Sequence, residues 1–220
     1  MIVRVRLKGG SGSGHFGHLG RPGMRGGSLP GKSGGAGRRA PTLKILYRGK
    51  EIRPSPHEAK IINDMLKRHP TKVVAKVNRI VVCGTYEDWE REYNKTFNGE
   101  GDPSTCGGFY TRFDKAIYMP PSSSVACFDH EIGHIAYWAA WDFNVEGEWD
   151  SNFRFDPNFD RHTAYSNNGL REGFAESYAA WIQTGGKVAR LSELPSDYAY
   201  GLQHIGETFD VIQRIVDKIP

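Results

Sequence analysis

The sequence predicts an α+β domain: a small mixed sheet with an edge hairpin, packed on one central helix and followed by a helical subdomain. Three observations carry that expectation. Short β-branched or alternating runs, at Leu43–Arg48, Val73–Cys83 and Ala116–Met119, are interleaved with helix-period stretches. The stretch Ser124–Trp141 has the length of a long helix and holds the pentapeptide His130-Glu131-Ile132-Gly133-His134. From Glu172 onward the apolar spacing is helical, first around Phe174, Tyr178 and Ile182, then around Phe209, Ile212, Ile215, Val216 and Ile219.

The chain has 220 residues, enough for one domain and a tail, and its hydrophobic content of 38% is low for a wholly globular chain. Eight of the 29 basic residues and none of the 25 acidic ones fall in residues 1–40, as do 13 of the 27 glycines. Residues 1–41 are therefore expected to be a basic, glycine-rich tail, and 42–220 a mildly acidic domain. Gly9 to Arg39 cannot bury enough apolar surface to offset its ordering entropy and is expected to be flexible. The alternation Ile2-Val3-Arg4-Val5-Arg6-Leu7 could pair as a short edge strand. The tail could touch phosphate backbones weakly and non-specifically, but Phe16 is its only aromatic residue for stacking. Three cysteines without a C-x-x-C point away from a disulfide framework and toward a reducing compartment. No run of 18 apolar residues and no signal-peptide pattern occurs, so a cytoplasmic protein with no membrane span is expected.

The elements follow in order. Leu43–Arg48 reads as a strand. Ser55, Pro56 and Glu58 form a capping-box start for a helix that runs to about Arg68, with Ile61, Ile62, Met65 and Leu66 on its apolar face. Val73–Cys83 reads as a central strand and Tyr86–Asn94 as a short helix. Gly107–Arg112 and Ala116–Met119 form the hairpin that closes the sheet. An extended substrate could add to the edge of the strand that directly precedes the long helix. Pro120-Pro121 ends that strand, and Ser122–Ser124 caps the helix. Residues 142–170, polar with scattered Trp149, Phe153, Phe155 and Phe159, read as a long functional loop. Gly185-Gly186 stops the helix that begins at Glu172.

On a helix, His130 and His134 lie one turn apart on one face and can offer ring nitrogens to one metal ion. Glu131 lies about 100° around the axis, placed to take a proton from a water that the metal activates. That is the chemistry of the zinc-hydrolase motif. The bland alternative is an amphipathic helix with two satisfied histidines, and Cys127, three residues before His130, reads as a small buried hydrophobe. A catalytic zinc needs a third protein ligand. Asp142, Glu146, Glu148, Asp150, His162, Glu172 and Glu176 are candidates, and Glu172 is chosen because a regular element holds a ligand better than a loop. Glu176, one turn on, could then hydrogen-bond a ligand histidine from behind.

The stretch Thr163 to Glu176, with a tyrosine seven residues before the glutamate of Glu172-Gly173-Phe174-Ala175-Glu176, resembles the catalytic domain of anthrax lethal factor-like zinc metallopeptidases. The upstream H-E-I-G-H is similar to that family's H-E-F-G-H. The resemblance implies a zincin-like fold of the gluzincin type and a zinc metalloendopeptidase acting on a protein or peptide substrate. It makes His130, His134 and Glu172 zinc ligands, Glu131 the general base, Tyr165 the hydroxyl donor to the developing oxyanion, and Glu176 a supporting residue. Separately, His15 to Gly31 resembles a G-H-x-G-R-P-G-x-x-G-G-S-x-P-G segment of tailed-phage head-morphogenesis and virion proteins. That likeness implies a phage or prophage origin and virion components as partners. The alternative it leaves is a virion structural or interaction protein whose zinc site is structural or vestigial.

Overall fold

The structure is a computed structural model that describes residues 40–155, 168–188, 190 and 205–220. The tail expected over residues 1–41, with its Ile2–Leu7 strand, falls outside these residues except for Ala40 and Pro41. Among the described residues there are five strands: β1 (Thr42–Tyr47), β2 (Lys50–Ile52), β3 (Arg79–Cys83), β4 (Phe109–Thr111) and β5 (Ala116–Met119). They form one mixed sheet in the order β2-β1-β3-β5-β4. β3 runs parallel to β1 and β5, while β2 and β4 pair antiparallel at the two edges. Seven helices accompany the sheet among the described residues: α1 (Pro56–Leu66), α2 (Thr71–Val74), α3 (Tyr86–Phe97), α4 (Val125–Asp142), α5 (Gly147–Phe155), α6 (Leu170–Thr184) and α7 (Ile205–Lys218). The α+β class with a small mixed sheet therefore agrees with the sequence.

Each face of the sheet is covered. Ile80, Val82, Ile117 and Met119 face the main core, which α1, α4, α6 and α7 complete with Ile62, Phe128, Phe174 and Ile212. Val81, Cys83, Ala116 and Tyr118 face the other way, onto Trp89 and Tyr93 of α3. This double burial explains why β3 reads as a continuous apolar run.

Several boundaries differ from the sequence expectation. The run Val73–Cys83 is not one strand: Val73 and Val74 belong to α2, and β3 begins at Arg79. The neighbouring strands set that limit, because the β1 register opens with Thr42 opposite Arg79 and the β5 register with Ala116 opposite Arg79. Residues before Arg79 have no strand to pair with, and Val73 is wholly buried as a helical residue instead. The hairpin partner β2 is an addition. Arg48 and Gly49 both take positive φ, as a two-residue hairpin turn requires, and both turn N–H groups donate to the Asp88 carboxylate at 2.7 Å. α3 runs three residues past Asn94, to a left-handed Asn98 cap.

Residues 142–170 are not one loop either. Gly147–Phe155 is helical, and Trp149 and Phe153, four residues apart, are buried in the main core. The Trp149 indole N–H donates to the Leu170 carbonyl at 2.9 Å, tying α5 to the start of α6. The other helix expectations agree. The Ser55 capping box is formed from both sides, Ser124 caps α4 through the Cys127 N–H, and Gly185 ends α6 in the left-handed region.

α4 and α6 are pressed together at one place. A Cβ on Gly133 would lie 2.7 Å from the Ala175 Cα and 2.9 Å from its carbonyl oxygen. Only a residue without a side chain permits that approach. Gly133→Ala is therefore expected to destabilise the fold by about 1–3 kcal/mol, read as a lower urea midpoint. Gly147, with open space around it, is the control: Gly147→Ala should leave stability unchanged or raise it by up to about 1 kcal/mol. Equal midpoints for the two variants would refute the close contact.

Candidate metal centre

The H-E-x-x-H segment lies in the middle of α4, a helix buried on nearly every side, and its residues point in different directions. The His130 and His134 rings are one turn apart, with centroids 4.7 Å from each other and planes at 86°. Both Nε2 atoms converge on one atom of α6, the Glu172 Oε2, at 3.2 and 3.3 Å. One donor atom from each of the three residues lies within 4.8 Å of the others, so the group could hold a metal ion. Glu172 was one of seven acidic or histidine candidates in the sequence, and it is the one brought to the histidine pair.

Asp142, Glu146, Glu148 and Asp150 go elsewhere. Asp142 pairs with Arg112 at 3.0 Å, Glu148 with Arg214 at 2.6 Å, and Asp150 accepts from the Tyr137 hydroxyl at 3.0 Å. Glu146 is buried but stands apart from the group. His162 and Tyr165 lie outside the described residues. Glu176 is where the sequence placed it, with its Oε1 2.7 Å from the His130 Nδ1. That contact occupies one ring nitrogen and leaves Nε2 turned to Glu172.

Charge is balanced locally. Burial alone would lower the pKa of His130, but its hydrogen bonds to Glu172 and Glu176 outweigh this and raise it from 6.5 to about 10. Burial would likewise raise Glu172, yet the two histidines hold its carboxyl well below the usual carboxylate range. Glu131 behaves differently. Its carboxyl is pushed up, chiefly by burial, with the Glu172 and Glu176 charges adding to the effect and both histidines opposing it. Its Oε2 is buried and has no hydrogen-bond partner among the described residues. Gly108, just before β4, makes room for this side chain: a Cβ there would meet Glu131 Cγ at 3.1 Å and Oε1 at 3.3 Å.

Behind the site lies a polar cluster that the sequence reading missed. Asp129 is wholly buried; its Oδ1 accepts from Arg68 at 2.6 Å and faces the His69 Nε2 at 3.0 Å. The other nitrogen of His69 is 3.2 Å from the Tyr178 hydroxyl, and the two rings stack. Burial lowers the His69 pKa, so a neutral ring donates from Nε2 to Asp129 and accepts from Tyr178 at Nδ1. His69, Asp129 and Tyr178 sit 49 to 109 positions apart and share no spacing. The one available signal was a charged Asp129 in an otherwise apolar turn of the helix.

Two openings flank the metal group. One, of about 360 Å³, is bounded by Tyr93, Cys106, Gly108, Cys127, His130 and Glu131. Cys127 is thus half-buried at the cleft wall rather than a core residue, with its sulfur accepting from the Ser124 hydroxyl. The other, of about 520 Å³, adjoins Glu172. The strand directly before α4 is β5, which is paired on both sides. The free edge beside the first opening belongs to β4. Among the described residues, no helix is long and apolar enough to cross a membrane.

No protein-family model matches the chain, and neither does any curated protein sequence.

Two outcomes follow from this geometry. Glu176→Ala should weaken metal retention about 10- to 100-fold in a chelator competition, because His130 loses the partner that orients it. Retention equal to the parent would remove Glu176 from the site. The second concerns pH. The His130 proton stabilises the metal-free fold below 6.5, and its contribution is lost as pH rises toward about 10. A metal ion must displace that proton, so metal affinity should rise over the same window while metal-free stability falls. Melting curves with and without metal from pH 6.5 to 10 test this, and parallel curves would contradict it.

Proposed function

We propose that this chain is a zinc-dependent metalloendopeptidase, zincin-like in fold and gluzincin in ligand set, that hydrolyses peptide bonds in a protein or peptide substrate. One observation carries the reading. A buried carboxylate oxygen of Glu131, with no hydrogen-bond partner among the described residues, stands beside three converging side chains that could hold a metal ion. A purely structural site has no use for that carboxylate. The donor set of two imidazoles and one carboxylate is common for catalytic zinc. The 3.2 and 3.3 Å separations also suit it, since tetrahedral ligands with bonds of about 2.0–2.1 Å lie roughly 3.3–3.4 Å apart.

Zinc, when bound, supplies Lewis acidity, polarising the scissile carbonyl and lowering the pKa of water to about 7. The chain supplies the rest. Glu131 Oε2 takes the proton of the attacking water and returns it to the leaving amine. Glu176 holds the His130 ring so that Nε2 faces the metal. The free edge of β4 can pair with an extended substrate through main-chain hydrogen bonds, and it begins next to Glu131. Tyr165 enters through the resemblance alone, as the donor to the developing oxyanion.

Elemental analysis of folded wild-type protein should give close to one zinc per chain, with clear loss in Glu172→Ala. Glu131→Gln should keep its zinc and cleave a mixed peptide library at least about 100-fold more slowly. Wild type without zinc, or a fully active Glu131→Gln, would end this reading.

A further inference from the structure

We infer that the substrate carries an acidic side chain within about four residues of the scissile bond, read by the larger cavity beside Glu172. This rests on the peptidase reading above. The cavity, of about 520 Å³, is walled by Arg112, Trp138, Trp141, Arg154 and Arg171, with Glu172 at its inner end. Two guanidiniums lie over one indole: Arg112 is 3.8 Å and Arg171 4.8 Å from the centre of the Trp138 ring. Trp141 meets Trp138 edge-on and is 48% exposed, a large apolar ring left at the mouth.

The charges do not cancel within the cavity. Arg112 is matched by Asp142 and Glu172 is engaged with the two histidines, while Asp150 accepts from the neutral Tyr137 hydroxyl and keeps its charge, so Arg154 and Arg171 face one unmatched carboxylate and the lining keeps an excess of positive charge. Arg154 and Arg171 are exposed and form no ion pair among the described residues. Two exposed guanidiniums beside an indole wall suit a carboxylate: the planar fork binds it bidentately, while the indole covers the methylene stem. The smaller opening by Glu131 has no lysine or arginine in its described lining, so the preference is local to one end of the cleft.

β4 gives the reach. Gly108 lies against Glu131, and Arg112, just past the other end of β4, lines the cavity. Four residues of extended chain cover about 14 Å, so a peptide paired along this edge carries a side chain from the scissile bond to the guanidiniums.

The test measures binding, so it does not depend on turnover. Zinc-loaded Glu131→Gln protein is titrated into fluorescein-labelled octapeptides in which one Asp is moved through every position. Each is paired with an otherwise identical Asn peptide. At one register the Asp peptide should bind at least tenfold more tightly, with the advantage shrinking at high salt. Arg154→Glu combined with Arg171→Gln should abolish the advantage and favour a Lys peptide at that register. Arg154→Gln alone, on an exposed side chain, should at least halve it should the double variant fold poorly. Equal affinities at every register, or a preference that survives both variants, would overturn the proposal. Acidic binding by a wild type that cleaves nothing would instead overturn the peptidase reading and leave the binding site standing. Cleavage without acidic preference would do the reverse.

Discussion

The contact between Gly133 and Ala175 sets the distance between the two helices that carry every donor of the metal group. Two side-chain donors from α4 and one from α6 must meet within a few ångströms, and imidazole and carboxylate side chains are short. A methyl group on residue 133 would push the backbones apart and pull Glu172 away from both histidines. The glycine therefore serves the site through packing rather than chemistry. It also buries one face of α6, and α5 and α7 cover the others, so that Gly173 to Ala180 are buried without a break.

Separation alone does not fix the site, because a helix can also roll about its axis. The cluster around Asp129, one turn before Gly133 on the same face of α4, prevents that. Asp129 is about 100° from His130 around the helix and is held by Arg68 and His69 at the end of α1. A wholly buried carboxylate is costly unless paired and hydrogen-bonded, so rolling α4 would break those contacts and leave a buried charge. Tyr178 extends the cluster back to α6, two residues from Glu176. The helix bearing the histidines is thus held against its neighbours by charge at Asp129 and by backbone contact one turn on, at Gly133.

The sequence made some of this legible. The spacing of His130, Glu131 and His134 and of Glu172 and Glu176 is local, and helix geometry turns local spacing into a shared face. That is why three of these five residues meet around one point, with Glu176 on the other nitrogen of His130 and Glu131 beside them. The capping residues Ser55, Ser124 and Gly185 were readable for the same reason: each acts on a neighbour within four positions. What was not legible depended on partners distant in sequence. The true start of β3 is set by where β1 and β5 begin, and Val73 carries strand propensity into a helix because its burial is decided by packing. α5 was hidden by its polar composition, although Trp149 and Phe153 already stood one turn apart. The Asp129–His69–Tyr178 cluster had no shared spacing, and only the charge of Asp129 on the helix hinted at it.

The electrostatics give a reason why this arrangement calls for a cation. Glu131, Glu172 and Glu176 are three carboxylates gathered around two imidazoles in a mostly buried place. Glu172 and Glu176 both raise the pKa of Glu131, which is like-charge crowding made visible. In the metal-free chain the burden falls on His130, which holds a proton to about pH 10 under the pull of two carboxylates. That proton offsets the crowding but occupies a ring nitrogen that a metal would need. A divalent ion at the same point answers both carboxylates and returns the imidazole to its neutral, donating form. Glu131 keeps a buried oxygen with no hydrogen-bond partner among the described residues, next to the start of the edge strand β4.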